Sequence, residues 1–288
     1  MNPFNPDHVN LHSSERYNKT SLDTICGSLC YSMGIKPPEL ALTRSEELCS
    51  YVDETLGGKK ADRIFMYNPD AIAQWLLHKY PELFRDVERY TGVALPLCVV
   101  MPSVTPVCYT TMYTGAQPEV HGIFERKTLT CDTIFDALIR AGKKVAIVAT
   151  PRCSVGILFR ERAVDYYYYE NMSQYLAIST ELILKDEYDV IVAYSGYYDS
   201  MMHKFGPESP EAFGELRTNV VTFGMVSELI AKHWKHHNTL VGFAMDHGCH
   251  SDMEVCKNGK IVWGDHGFYV PSDMNITHFY KAYPENRD

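Results

Sequence analysis

The sequence predicts an α/β fold with a mostly parallel central sheet and helices on both faces, together with a small N-terminal helical extension. Short apolar runs of strand length alternate with segments whose apolar residues recur every three or four positions, as in amphipathic helices. The 288 residues are 45% hydrophobic and 22% charged, which is typical of a globular protein. We therefore divide the chain into an extension over residues 1–60 and a main domain over residues 61–288.

The extension is predicted to contain two helices. Apolar residues recur at helical spacing over 21–33, and a pair of prolines then interrupts the chain. A second helix is predicted over 43–56, with Thr43 and Glu46 forming a capping box at its start. Nothing in this segment by itself indicates chemistry.

Strands and helices alternate through the main domain. Strands are predicted over 63–67, 94–101, 144–149, 189–194 and 239–245. Helices are predicted over 72–83, 130–141, 172–184 and 213–234. The tyrosine run 166–169 is predicted as a further strand with alternate rings buried. This order implies parallel strands joined by helices, and ligands bind beyond the carboxyl ends of such strands.

Charge and composition limit the kinds of partner that we expect the chain to bind. The chain carries 27 Lys and Arg against 36 Asp and Glu, a net charge of −9, which argues against binding to a nucleic acid duplex. It has no apolar run long enough to span a membrane and no signal-peptide pattern at its start. The nine cysteines form no Cys-x-x-Cys pair, so we expect reduced thiols and a cytoplasmic location. Whether the chain forms a homo-oligomer is left open.

Residues with metal-binding or catalytic side chains follow the predicted strands. His266, the last of these residues, follows the apolar run 261–263, which we expect to be another strand that ends at the same edge. Three carboxylates, three imidazoles and one hydroxyl are involved: Asp70, Thr105, Asp199, His203, Asp246, His247 and His266. Nitrogen and oxygen donors in this number could bind two divalent metal ions.

Thr105 is the candidate nucleophile. Thr105-Pro106 is typical of a helix N-cap followed by proline at the first helical position. A hydroxyl there lies at the positive end of the helix dipole, which also suits a phosphate oxyanion. A metal ion on the same oxygen would favour its deprotonated form. Plain capping by the hydroxyl is the alternative.

Four ordered motifs resemble the alkaline phosphatase superfamily. Pro102–Ile123 resembles the nucleophile segment of its type I phosphodiesterase/nucleotide pyrophosphatase branch and of the related phosphonoacetate hydrolases. Asp199–Pro207 is similar to the Asp-x-x-x-His-x-x-Gly-Pro motif of the branch. Asp246-His247-Gly248 and His266-Gly267 follow in the expected order. The resemblance covers residues 62–270 and implies an alkaline-phosphatase-like fold.

The resemblance implies two metal ions and a covalent intermediate. One ion would be held by Asp70, Thr105, Asp246 and His247, and the other by Asp199, His203 and His266. Thr105 would attack phosphorus, and water would hydrolyse the resulting phospho-threonine. Zinc is the expected metal and manganese the alternative. The substrate would be a small-molecule phosphate ester or a nucleotide-like compound, with diesters and pyrophosphates preferred to monoesters.

This chain departs from the branch at three places. An Asp-Gly pair is replaced by Asp70-Ala71, and the Asn expected three residues after the nucleophile is replaced by Cys108, a weak donor. We expect Cys108→Asn to raise turnover. The connection from Asp246 to His266 is too short to contain a substrate-shaping insertion. We therefore expect the first sixty residues to supply the missing wall.

Other functions stay open beside this interpretation. The chain could be a phosphomonoesterase or a C–P hydrolase similar to phosphonoacetate hydrolases. A catalytically inert metal-binding protein on the same scaffold is the alternative from another class. Among the remaining histidines, we expect His121 to support a loop and His237 to face solvent. His250 follows Asp246 by four residues, so a supporting role beside the metal ligands is an alternative for it.

Overall fold

The computed structural model describes residues 16–257 and 260–286, and only the backbone is described for 253–257 and 260. Residues 1–15 of the proposed extension lie outside the described residues. The strands are β1 (Thr20–Ser21), β2 (Arg63–Pro69), β3 (Val93–Cys98), β4 (Val145–Ala149), β5 (Asp165–Tyr168), β6 (Val190–Ser195), β7 (Thr239–Phe243), β8 (His250–Lys257), β9 (Lys260–Asp265) and β10 (Asn275–Tyr283).

Helices connect most of these strands. They are α1 (Thr24–Met33), α2 (Glu46–Thr55), α3 (Gln74–Lys79), α4 (Arg85–Arg89), α5 (Thr105–Thr114), α6 (Pro118–His121), α7 (Ile134–Arg140), α8 (Ser154–Leu158), α9 (Met172–Lys185), α10 (Tyr197–Phe205), α11 (Pro210–His233) and α12 (Pro271–Met274). A short 3₁₀ helix, Pro81–Phe84, precedes α4. No described helix combines the length and apolar character needed to cross a membrane.

An eight-stranded sheet in the order β1-β3-β10-β7-β2-β6-β4-β5 forms the centre of the molecule. β2 runs parallel to β6 on one side and to β7 on the other. β10 is the exception, since it lies antiparallel between β3 and β7. The mostly parallel sheet is confirmed, and β10 is a strand that the sequence pattern did not predict. β2, β6 and β7 are neighbours, so their carboxyl ends meet.

Helices cover both faces because side chains alternate along each strand. Ile64 and Met66 of β2 point towards a face lined by residues of α1, α5 and α7. Tyr67 points to the opposite face, where its hydroxyl donates to Asn219 Oδ1 of α11 at 3.0 Å. Its ring also packs against Tyr175 of α9. The continuous burial of β2 is what a central parallel strand requires.

The described part of the first sixty residues shares this core. β1 pairs with β3, and α1 packs on α2 and α5. Leu29 and Met33 of α1 contact the same apolar space as Ile64 and Tyr113. Residues 16–60 therefore belong to the same hydrophobic core as the main domain.

Three local predictions were wrong. Helix α2 is capped by Ser45, whose hydroxyl accepts from the Leu48 N–H at 3.3 Å, and Thr43 precedes the cap. The tyrosine strand lacks strict alternation, because Tyr166 and Tyr167 are both half-buried at the sheet edge. The run 261–263 does form a strand, but β9 pairs only with β8 in a separate antiparallel ribbon.

Leu29→Ala should lower the free energy of unfolding of the whole chain by about 2–5 kcal/mol, because it leaves a cavity in the common core. Leu42→Ala is the matched control, since that side chain is 86% exposed and its loss should change stability by about 0.5 kcal/mol or less. Urea unfolding followed by circular dichroism measures both. An unshifted main transition in Leu29→Ala would show that the segment folds separately.

Candidate active site

The central strands deliver their functional residues to one edge. Asp70 directly follows β2, and its N–H donates to Ser195 O at the end of β6 at 2.9 Å. Asp246 follows β7, the neighbour of β2 on its other side. The Ala71 N–H donates to Asp246 Oδ1 at 3.2 Å and so connects the two strand ends. The parallel register therefore fixes the separation of the two carboxylates.

Ala71 explains how an Asp-Ala pair can replace Asp-Gly. Its φ is 62°, in the left-handed region that favours glycine. Alanine adopts this conformation at a cost of about 1–2 kcal/mol. The backbone turn after Asp70 is thus kept, and the departure from the family pattern does not displace the Asp70 carboxylate.

Asp70, Asp246 and His247 form the first cluster. Their ligand atoms all lie within 4.8 Å of one another. His247 Nε2 is 3.4 Å from Asp70 Oδ1 and 3.3 Å from Asp246 Oδ2. All three side chains are buried. Two carboxylates and one imidazole facing a common point are a suitable donor set for a divalent transition-metal ion.

Asp199, His203 and His266 form the second cluster, again with ligand atoms within 4.8 Å of one another. Asp199 and His203 lie one turn apart on α10, so both face the same side of the helix. His266 follows β9, so the separate ribbon and not the central sheet brings it to the site. The ring centroids of His266 and His247 are 4.1 Å apart, which places the two clusters side by side.

The ribbon approaches α10 closely at Gly264. A Cβ atom there would lie 2.8 Å from Met202 O and 2.7 Å from Met202 Sδ, so only glycine fits. Gly264 O in turn accepts from His203 Nδ1 at 2.9 Å. The ribbon therefore positions His203 as well as His266.

Each imidazole is held in one tautomer by a backbone carbonyl. Nδ1 of His203, His247 and His266 lies 2.9, 2.9 and 3.1 Å from the oxygens of Gly264, Gly248 and Ser103, respectively. A carbonyl only accepts, so Nδ1 carries the proton and a neutral ring presents its Nε2 lone pair to the clusters. Such backbone contacts are how metal-binding histidines are commonly oriented.

Two further observations fit a cation at each cluster. His203 Nε2 and His266 Nε2 approach to 3.1 Å, which brings two lone pairs together unless a proton or metal ion lies between them. Asp246 Oδ2 and Asp199 Oδ1 are buried and accept no hydrogen bond from the described residues. Buried carboxylate oxygens without partners are costly. The residues present therefore fit two divalent ions.

Electrostatics distinguish the two clusters. Burial and the charge of Asp199 raise the pKa of Asp70 to about 7, and burial with the charge of Asp70 raises the pKa of Asp246 well above its usual range. Burial lowers the pKa of His247. In the second cluster, the contacts between Asp199 and the two histidines outweigh the effect of burial. His203 and His266 hold the pKa of Asp199 well below its usual value. Asp199 in turn raises the pKa of His203 to about 9. The first cluster thus has an excess of negative charge.

Thr105 is placed between these groups. Its Oγ1 lies 3.3 Å from Asp70 Oδ2 and 3.3 Å from His247 Nε2. The predicted N-cap role is wrong: Val104 is the N-cap of α5, Thr105 is the first helical residue, and no side chain caps the helix. The hydroxyl therefore faces the first cluster and the positive end of α5.

Other sequence predictions have mixed outcomes. Cys108 is buried with its Sγ 4.0 Å from Val100 O, and the expected rise in turnover of Cys108→Asn stays a prediction. His121 contacts Thr111 and the Ile123 N–H, as a loop support should. His237 pairs with Asp62 and Asp186 instead of facing solvent.

His250 supports the site indirectly, through its contact with Asp273. Its Nδ1 lies 2.7 Å from Asp273 Oδ1. Asp273 Oδ2 accepts from the Phe268 N–H at 2.9 Å, two residues after His266. This chain of contacts stabilises the loop that carries His266.

Sequence reasoning missed residues on the side of the site next to α8. Tyr194, at the end of β6, donates a hydrogen bond to Asp70 Oδ2. Arg126, Arg152 and Ser154 line a cavity that opens beside Asp70 and Asp199. Arg152 follows β4, so the strand-end argument applied to β4 would have found it. No residue of the described part of 1–60 lines this cavity, and the expected wall from the first sixty residues stays a prediction.

The fold resembles that of nucleotide pyrophosphatase/phosphodiesterases. Human ectonucleotide pyrophosphatase/phosphodiesterase 5 matches with a TM-score of 0.62 and 13% identity, covering 76% of this chain and 87% of that chain. An inactive variant of the murine protein in complex with AMP matches with a TM-score of 0.59 and 16% identity, covering 78% and 88%. The predicted alkaline-phosphatase-like fold is thereby confirmed.

Phosphonoacetate hydrolase from Sinorhizobium meliloti 1021 in complex with phosphonoacetate also matches, with a TM-score of 0.49 and 18% identity over 68% of this chain and 59% of that chain. No protein-family model and no curated protein matches the sequence. At these identities the structural likeness concerns the fold, and the chemistry of this chain has to be argued from its own residues.

Protein stripped of metal and re-equilibrated with zinc should bind two ions per chain. His247→Ala and His203→Ala should each bind one, because each removes a ligand from a different cluster. His233→Ala is the matched control, as it removes an exposed histidine at the end of α11. Elemental analysis after dialysis measures the stoichiometry. Retention of two ions by both ligand variants would contradict the assignment of the clusters.

Proposed function

We propose that the chain is a phosphoric ester hydrolase that requires two divalent metal ions and uses Thr105 as its nucleophile. One observation carries the proposal: the Thr105 hydroxyl lies 3.3 Å from both Asp70 and His247 and takes no part in helix capping. A nucleophile must be close to groups that activate it and free to reach the substrate. Thr105 satisfies the first condition within the described residues.

The metal ligands follow from the two clusters. Asp70, Asp246 and His247, with the Thr105 oxygen, would hold one ion, and Asp199, His203 and His266 the other. Zinc suits this mixture of imidazole and carboxylate ligands, with manganese as the alternative. When bound, two divalent ions would supply Lewis-acid stabilisation of the charge that develops on the phosphoryl oxygens.

The reaction has two displacements at phosphorus. Thr105 Oγ1 gives up its proton and forms a bond to phosphorus while the bond from phosphorus to the leaving oxygen breaks. The leaving oxygen takes the electron pair and is protonated in turn. Water then forms a bond to phosphorus, and Thr105 Oγ1 leaves and regains its proton. The positive end of α5 favours the phosphoryl oxygens near Thr105 in both steps.

Phosphodiesters and nucleotide-type pyrophosphates are the substrates we place first, and phosphomonoesters second. The similarity in fold to phosphodiesterases supports this order. A catalytically inert metal-binding protein is the alternative from another class, and it would bind the ions but release no nitrophenolate from aryl phosphates. The cytoplasmic location and the oligomeric state stay predictions.

Thr105→Ala should lower turnover of bis(4-nitrophenyl) phosphate by about a thousandfold or more, because the attacking oxygen is lost. Thr105→Ser keeps a hydroxyl at the same place and should retain measurable turnover. Both variants should still bind two ions, since three protein ligands remain in each cluster. Release of nitrophenolate and elemental analysis are the measurements. Wild-type rates in Thr105→Ala would exclude Thr105 as the nucleophile.

A further inference from the structure

A cavity adjoins the two metal clusters. It has a volume of about 280 Å³ and touches one ligand of each cluster, Asp70 and Asp199. Its other side is formed by Arg126, Arg152 and Ser154. A group in this cavity would therefore be next to a phosphorus atom held at the clusters. The volume lies below the range of about 300–1,000 Å³ that is typical of sites for drug-sized ligands, so it suits a small substituent.

Arg126 and Arg152 have no charged partner in the part of the chain that the structure describes. Neither guanidinium forms an ion pair or a hydrogen bond with another of the described residues. Elsewhere in the described chain, Arg63, Arg140 and Arg162 each pair with aspartate. Two unpaired arginines at one cavity of a protein with net charge −9 mark a local concentration of positive charge. Guanidinium groups recognise carboxylates and phosphates with high geometric specificity.

Ser154 supplies an independent observation. Its side chain is 1% exposed, its Oγ has no hydrogen-bond partner among the described residues, and the residue borders the cavity. A buried hydroxyl without a partner costs about 1–3 kcal/mol, so such groups are rare unless a ligand or water satisfies them. Ser154 is therefore a hydrogen-bond donor without an acceptor among the described residues, at the border of the cavity.

We propose that Arg126, Arg152 and Ser154 form an anion-binding subsite for a second negatively charged group of the substrate, linked to the reacting phosphorus by a short spacer. The group is a carboxylate or a phosphoryl group, because both present negatively charged oxygens that accept hydrogen bonds. The subsite rests on the proposed function only in assuming that the phosphorus is held at the metal clusters. It narrows the substrate class to compact phosphorus compounds with two anionic groups.

Binding of three small acids tests the subsite without any turnover. Methylphosphonate, phosphonoacetate and methylenebisphosphonate are titrated by calorimetry into the zinc-loaded Thr105→Ala protein. The first has no second anionic group, the second has a carboxylate and the third a phosphoryl group. We expect at least one dianionic acid to bind about tenfold or more tightly than methylphosphonate, since a charge-assisted hydrogen bond contributes about that much.

The arginine variants separate the subsite from chelation of zinc by the second group. Arg126→Gln and Arg152→Gln should each reduce the preference for the dianionic acid by about tenfold, and Ser154→Ala by about fivefold. Arg152→Lys should restore part of it. Lys127→Gln is the matched control: it removes one positive charge from the exposed neighbour of Arg126, outside the cavity, and should leave the preference unchanged.

The outcomes distinguish the two proposals. A preference that is absent, or that survives in the Arg126→Gln/Arg152→Gln double variant, overturns the subsite whether or not esters are hydrolysed. A preference that both arginine substitutions abolish supports it. Failure of the wild-type protein to release nitrophenolate from bis(4-nitrophenyl) phosphate would overturn the hydrolase and leave the binding result standing. A preference confined to phosphonoacetate identifies a carboxylate as the group, and one confined to methylenebisphosphonate identifies a phosphoryl group.

Discussion

The burial of Asp70 and Asp246 beside each other is the constraint on which the rest of the site depends. Both carboxylates are 1% exposed or less, and the charge of Asp70 adds to the burial that raises the pKa of Asp246. Charged groups out of water need a partner of opposite sign. The imidazole next to both carboxylates is His247, and burial favours its neutral form. A divalent cation is the partner that this arrangement fits.

Rigid backbone contacts hold the ligands in place. The parallel register of β2 with β6 and β7 fixes the two carboxylates, and three carbonyls fix the imidazole tautomers. The second cluster depends on the approach of the β8–β9 ribbon to α10, which Gly264 permits. Geometry that is set by the backbone before a ligand arrives is what metal binding and transition-state stabilisation both require.

The two clusters and the positive cavity wall divide the site into two regions. The clusters suit metal ions and the phosphoryl group that they attract, whereas Arg126 and Arg152 suit an anion further from the nucleophile. The described part of the first sixty residues does not reach this cavity. It contributes α1 and α2 to the core, while Tyr17 stacks on Tyr269 near the loop that carries His266. Among the described residues, the cavity wall therefore comes from the main domain.

The sequence by itself determined the alternation of strands and helices, because hydrophobic periodicity is a local property. It also predicted the seven residues that meet at the site, because Asp and His follow successive strands and belong to four ordered motifs. Only the tertiary structure decided the antiparallel insertion of β10, the delivery of His266 by a separate ribbon, and the inward orientation of Cys108. It alone joined Arg126, Arg152 and Ser154 in one cavity. These features depend on strand order and loop paths, which packing between distant segments selects and which no local pattern encodes.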